Sequence, residues 1–166
     1  MKFIKSLIPY IVIIIVVFIV REFIVTPVQV VGTSMVPTLK DGELLLLDKI
    51  SYNFSDIKRF DVVVVEKSDK AIIKRVIGLP NEKVEYKDNR LYINDKLVNE
   101  KFLRNGKTYD YIIENNDIIP KDYYFVVGDN RINSEDSRSI GLIHIDEIEG
   151  KTSFALFPFS KFGFVN

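Results

Sequence analysis

The sequence predicts a mainly β fold, an antiparallel β-sheet domain carried behind one N-terminal transmembrane helix. Three observations predict it. Residues Leu7 to Val20 form an apolar run without a charged side chain, with Pro9 and Tyr10 near its start. Beyond Val25 the chain breaks into short runs of Val, Ile, Leu, Tyr and Phe separated by Gly, Asn, Asp and Lys, which is strand and turn chemistry. Between Leu91 and Val98 two such runs flank Asn94-Asp95, residue types that tolerate the positive φ of a tight hairpin turn.

The N-terminal element comes first. Phe23 to Val25 extend the apolar run past Arg21 and Glu22, so the stretch approaches the about 20 residues a spanning helix needs, with Arg21 snorkelling to the outer interface. Its all-round Ile and Val composition leaves no polar face of the kind a helix on a soluble core keeps. Lys2 and Lys5 precede it, which favours a cytoplasmic amino terminus, a single pass through the cell membrane and an extracytoplasmic remainder. A cleaved signal peptide shares the basic start and apolar middle, but Phe23 to Val31 offers no pair of small residues at a cleavage spacing. The segment is therefore expected to stay attached, dividing the chain into a cytoplasmic tip and anchor, 1–25, and a β-rich domain, 26–166.

The strands follow in order. Candidates are Glu43 to Asp48, Phe60 to Glu66, Ala71 to Ile77, Lys83 to Tyr86, Leu91 to Ile93, Lys96 to Val98, Tyr123 to Val127 and Ser153 to Phe157. Asn99 to Pro120 is polar and irregular, with Asn105-Gly106 as a turn, and reads as a surface excursion from the main sheet. Asn53-Phe54-Ser55 matches a glycosylation acceptor but reads as plain loop.

Composition then removes whole classes of function. At 166 residues there is room for one modest domain besides the anchor. Lys and Arg together equal Asp and Glu, and no basic patch interleaves with aromatics, so nucleic acid is not an expected partner. With no cysteine there are no disulfides, thiolate nucleophiles or thiolate metal sites. His144 is the single histidine, which rules out a multi-histidine metal centre.

Two separated segments carry chemistry. Thr26-Pro27-Val28-Gln29-Val30 alternates like a strand and leads into Gly32-Thr33-Ser34, a turn that can expose a hydroxyl. If the extended conformation persists through Gly32, Val28, Val30 and Ser34 share a face, a groove suited to an extended peptide. Lys74 lies within Ala71 to Ile77, on the face of Ile72 and Val76, an odd neighbourhood for an ammonium. A lysine near pKa 10.4 is less than about 0.1% neutral at pH 7, and lowering it by ~3 units costs roughly 4 kcal/mol, which apolar burial can supply. Taken alone, Ser34 also reads as a turn-capping serine and Lys74 as a snorkelling edge-strand lysine.

In order and spacing, four segments resemble the motifs of the type I signal peptidase family. They are Gly-Thr-Ser-Met-Val-Pro-Thr-Leu over Gly32 to Leu39, Arg-Phe-Asp-Val-Val-Val over Arg59 to Val64, Lys-Arg-Val-Ile-Gly-Leu-Pro over Lys74 to Pro80, and Gly-Asp-Asn-Arg-Ile-Asn-Ser-Glu-Asp-Ser-Arg over Gly128 to Arg138. The small size and single anchor resemble the Gram-positive branch. The resemblance implies an endopeptidase that cuts signal peptides from secretory preproteins after small, Ala-X-Ala-like residues, with Ser34 as nucleophile and Lys74 as general base. It implies that Ser134 orients the Lys74 amine, that Asp136 and Arg138 support the site from behind, and that Asp129 and Arg131 are structural. Val28, Val30, Met35, Leu39 and Ile73 match positions that line the pockets for the −1 and −3 residues, although simple alternation points Ile73 away from Lys74. The oxyanion hole includes the Ser34 N–H. The implied partners are preproteins and the lipid bilayer, with no metal, nucleotide or organic cofactor.

This sequence departs from the family pattern at Phe60, where Gly is usual, at Asn81 and Glu82, which replace Gly-Asp, at Ile72, where an aromatic is common, and at Gly32, where some relatives carry a serine. Three rival readings remain. A Ser/His/Asp triad would use His144 and Asp146. A self-cleaving repressor-type serine-lysine protease shares the catalytic pair but lacks an anchor, and a tethered, non-catalytic β-rich binding module would not use the pair at all.

Overall fold

The computed structural model describes residues 2–67, 70–103, 108–113 and 118–165, with side chains from residue 7 onward. Helix α1 runs over Lys2–Ile19 and passes through a widened turn at Val20–Ile24 directly into strand β1, Val25–Gln29. The stretch Leu7–Ile24 is long and apolar enough to cross a bilayer, and none of it is buried against the rest of the chain. The remaining strands are β2 Leu44–Asp48, β3 Val62–Lys67, β4 Lys70–Gly78, β5 Val84–Lys87, β6 Arg90–Ile93, β7 Lys96–Val98, β8 Tyr111–Ile112, β9 Tyr123–Val127, β10 Ile143–His144, β11 Ile148–Phe157 and β12 Gly163–Phe164, with a short helix α2 at Ser137–Ile140.

Two antiparallel sheets result. The larger has the order β1-β2-β11-β3-β4-β9-β10, with β12 added on β11, and the smaller runs β7-β6-β5-β8. Ile77, Val84, Tyr86, Leu91, Ile93, Ile119, Phe125 and Val127 form the cluster between them. A second cluster, with Ile57, Val63, Val65, Val76, Val126 and Ile143, lies along β3, β4 and β9. A third, with Val30, Met35, Leu39, Leu45, Val62 and Ala155, lies under the turn that carries Ser34. The mainly β class with one long apolar N-terminal helix is as the sequence predicts.

The hairpin at Asn94-Asp95 forms with both residues at positive φ, 50° and 63°. Strand β11 starts at Ile148, earlier than the expected Ser153. Its first half, Ile148-Glu149-Gly150-Lys151-Thr152, mixes charges with a glycine, and a bulge sits between Ile148 and Gly150. Gly150 lets the backbone approach the Asp48 carbonyl so closely that a Cβ would collide with it. The excursion Asn99 to Pro120 contributes β8, paired with β5, while its Asn105-Gly106 turn lies outside the described residues. Phe60 is not in β3. It takes φ 73°, a left-handed conformation that glycine adopts freely, so the turn usual with Gly is kept by a phenylalanine whose ring packs on Phe102. Asn81 likewise takes φ 65°.

Candidate active site

The extended run of β1 stops at Gln29, and Val30 is then held by its N–H to the Glu43 carbonyl and by the Gly42 N–H to its own carbonyl. Gly32 turns the chain at φ 85°, its N–H donating to Asp41 Oδ1. The extended conformation therefore does not persist to Ser34, contrary to the expectation of one shared strand face. A single helix-like turn follows instead, with the Val36 N–H on the Thr33 carbonyl and the Leu39 N–H on the Met35 carbonyl. It buries Met35 and Leu39 as a plug and leaves Ser34 half-exposed at the rim.

Lys74 comes from β4. Its neighbour Arg75 is the last residue there to pair with β9, at Val127. Lys74 is only 3% exposed, and its Nζ donates to Ser34 Oγ at 2.8 Å and to the Ile73 carbonyl at 3.0 Å. Burial holds this amine below the ordinary lysine value of 10.5, against the charges of Asp136 and Glu135, which favour the ammonium. A neutral amine at this distance can accept the serine proton across the same contact.

Ile73 packs with Val28 against the cluster of Val30, Met35 and Leu39, so the five pocket candidates come together. Alternation holds, since Ile72 and Val76 point into the other cluster. Lys74 starts on that opposite face, and its long side chain brings the amine back to the carbonyl of Ile73. No bulge occurs at this point of β4; the irregularity lies later, between Val76 and Gly78.

The loop of residues 128–138 closes the site from behind. Asp136 is fully buried, caps α2 and accepts from Arg138 Nε at 2.8 Å, Arg138 Nη2 at 2.7 Å and the Gly128 N–H at 3.0 Å. Burial alone would raise this carboxyl, but Arg138 and Gly128 outweigh it and hold it below its usual 3.8. Arg138 also donates to the Arg131 carbonyl. The Ser134 hydroxyl is buried and forms no hydrogen bond of normal geometry among the described residues, to Lys74 or otherwise, although it lies close enough to Asp136 to favour its charge. It presses on Gly128, where any Cβ would collide with both the Ser134 hydroxyl and the Ser34 carbonyl oxygen.

Sequence reasoning named Asp129 as structural but missed the asparagines that fasten this loop. Asn130 donates its N–H to the Ser34 carbonyl at 2.9 Å and its Nδ2 to the Thr33 carbonyl at 3.2 Å, and Asn133 Nδ2 donates to Thr33 Oγ1 at 3.1 Å. Asp129 accepts a buried two-pronged pair from Arg75, at 2.9 and 2.7 Å, and the Thr38 hydroxyl. Turn, strand and loop are thus tied to one another around Ser34 and Lys74. The asparagines stood inside a quoted motif, and two short amides within four residues, in a loop segment that opens at Gly128, were the available signal.

His144 lies on β10 at the far edge of the large sheet, where its Nδ1 accepts from the Asp146 N–H and its ring packs on Tyr123. Among the described residues no hydrogen bond or ion pair links it to Ser34. Among the described residues no cluster of His, Asp and Glu could hold a metal ion. A cavity of about 760 Å³ lies under the same turn, lined by Pro37, Thr38, Glu43, Phe60, Phe102 and Thr152 among others, and includes neither Ser34 nor Lys74. The candidate site lies instead beside the end of β1, an edge strand of the sheet.

The family described as signal peptidase, peptidase S26, matches residues 2–157. Signal peptidase IB of Staphylococcus aureus is 44% identical, covering 89% of this chain and 86% of its own. Signal peptidase I of Bacillus caldolyticus is 40% identical, covering 94% and 92%. A crystal structure of a signal peptidase I from Enterococcus faecalis superposes with a TM-score of 0.53 at 34% identity, covering 58% of this chain and 97% of that one.

Proposed function

The chain belongs to the signal peptidase family, as a serine endopeptidase that removes signal peptides, and from that premise we propose that it works through a Ser34/Lys74 dyad on membrane-held preproteins. The observation that carries the dyad is the 2.8 Å contact between a buried amine and a half-exposed hydroxyl.

In the proposed cycle an extended preprotein segment lies along the free edge of β1, where main-chain hydrogen bonds can add it as a further strand. Val28, Val30, Met35, Leu39 and Ile73 wall the pockets for small residues at −1 and −3, which favours Ala-X-Ala-like sites. Neutral Lys74 takes the Ser34 proton as Oγ bonds to the carbonyl carbon of the −1 residue. The Ser34 N–H, which has no acceptor among the described residues, stabilises the oxyanion. Protonated Lys74 gives its proton to the leaving amine, and water, deprotonated again by Lys74, releases the acyl group. Asp136 and Arg138 keep loop 128–138 against the Ser34 turn, and Ser134 fills the space between loop and turn.

The apolar helix tethers residues 26–166 to the bilayer, with Lys2 and Lys5 favouring a cytoplasmic amino terminus. Mass-spectrometric mapping of a model preprotein, incubated with detergent-solubilised wild type, Ser34→Ala and Lys74→Ala, tests this reading. Cleavage after an Ala-X-Ala-type site by wild type alone is expected. Full activity in Lys74→Ala would overturn the dyad.

A further inference from the structure

We infer that the cavity under the Ser34 turn is a second binding site, which takes a short apolar peptide by its main chain and its terminal carboxylate. Neither Ser34 nor Lys74 lines this cavity, so the site stands apart from the proposed dyad.

Buried polar atoms in folded proteins are almost all hydrogen-bonded, and one that is not marks a missing partner. Among the described residues three buried side-chain atoms lack one: Ser134 Oγ in the loop behind the dyad, Glu43 Oε2 and Thr152 Oγ1. Glu43 and Thr152 both line the cavity, and at 4% and 2% exposed they lie deep in it. The Glu43 carboxylate is held through its other oxygen by Lys161 Nζ at 2.6 Å, which leaves Oε2 as an acceptor. The Thr152 hydroxyl can donate.

The spacing of the two atoms narrows the ligand. Glu43 stands one residue before β2, whereas Thr152 of β11 is opposite Leu47, so their backbones lie about four strand residues, roughly 13 Å, apart. Partners so spaced call for a molecule with polar groups repeated along its length. A peptide main chain provides them, its N–H donating to Glu43 and its carbonyl accepting from Thr152. The cavity volume of about 760 Å³ falls within the about 300–1,000 Å³ usual for ligand sites.

The walls set the rest of its chemistry. Phe60, Phe102 and Phe164 line the cavity and suit apolar side chains. Its charges are Arg75, Lys101, Lys151 and Lys161 against Glu43 and Asp61. Arg75 is paired with Asp129, Lys151 with Asp61 and Lys161 with Glu43. Lys101, which is exposed, is the lining cation left without a carboxylate among the described residues, and a peptide's terminal carboxylate supplies one.

The test is calorimetric titration of the full chain in lipid nanodiscs, carrying Ser34→Ala so that no probe is cut. The probe is acetyl-Leu-Leu-Phe with a free carboxylate; its C-terminal amide and decanoate are the comparisons. The acid is expected to bind, with the amide at least about fivefold weaker, and Lys101→Ala should erase that difference. Thr152→Val should weaken the acid about five- to tenfold. Because its hydroxyl has no partner in the empty protein, the same variant should melt no lower than its parent, which shows that it folds. A lower melting temperature would mean that the hydroxyl is already bonded and would overturn the inference. Unchanged binding in both variants would place the peptide elsewhere, and decanoate binding as tightly as the acid would reduce the site to an apolar fit. Absence of binding at millimolar probe would leave the two atoms to water and end the proposal.

Discussion

Lys74 Nζ stands 2.8 Å from Ser34 Oγ, joining two residues that lie 40 positions apart in the chain. Burial lowers the amine from 10.5, so under the proposed dyad the neutral fraction that abstracts the proton grows as pH rises through the depressed value. The kcat/KM profile for a soluble peptide should therefore climb with pH and level off below 10.5. Lys74→Met should cost roughly 10³-fold or more in kcat, measured in the same assay.

Stability should respond to that amine in the opposite sense from an ordinary ion pair. The unfolded chain holds the proton up to 10.5 and the folded chain releases it earlier, so the charged amine weakens the fold below its folded pKa, and the penalty fades as pH approaches 10.5. Lys74→Met should melt higher than wild type near neutral pH, with the difference vanishing in strongly alkaline buffer. Thermal melts across pH would detect it.

Asp136 has a lower pKa folded than unfolded, so its contribution is complete above about 3.8 and is lost as pH falls through the depressed value. Asp136→Asn breaks a buried pair with Arg138 and should cost about 3 kcal/mol in denaturant unfolding at pH 7. The gap between the two proteins should close in acid.

Gly128→Ala forces a methyl group into the contact between the Ser134 hydroxyl and the Ser34 carbonyl. Overpacking of this kind costs about 1–3 kcal/mol, but here the displaced atoms belong to the Ser34 turn. Activity is expected to fall at least tenfold, out of proportion to a modest drop in Tm. Equal, small losses in both would place the turn elsewhere.

Ile73→Ala should widen the groove wall it shares with Val28. Peptides with Leu at −3 should gain about tenfold in kcat/KM relative to those with Ala, as a few methylenes decide such contests. Competition between the two peptides, followed by mass spectrometry, would measure it.

Most of the architecture was legible because it rests on local chemistry. The uninterrupted Leu7 to Val20 run can only be an apolar helix, and Asn94-Asp95 is a turn wherever strands flank it. Tyr123–Val127 forms over the expected residues. What escaped was non-local. Strands β8, β10 and β12 have two residues each and exist only because β5, β9 and β11 offer edges to them. At the site, Ser34 and Lys74 could be singled out by motif, and the sequence expectation for the Lys74 neighbourhood was of the right kind. The course of the chain at Gly32 could not be foreseen, because the turn is set by Asp41 and Glu43 on the other side of the hairpin. Nor could the Asn130 and Asn133 clasp on Thr33, whose ends lie 97 and 100 positions apart in the chain.

One side chain ties the smaller sheet to loop 128–138. Arg131 is sealed from solvent, with its guanidinium on Tyr86 of β5, on Glu100 and Thr108 of the excursion, and on the Gly128 carbonyl. Deleting Glu100 would strand a cation in the interior, beside the backbone that meets Ser34. The root of the excursion is therefore held by an electrostatic debt to loop 128–138, and that sets a lower limit on how small this enzyme can become.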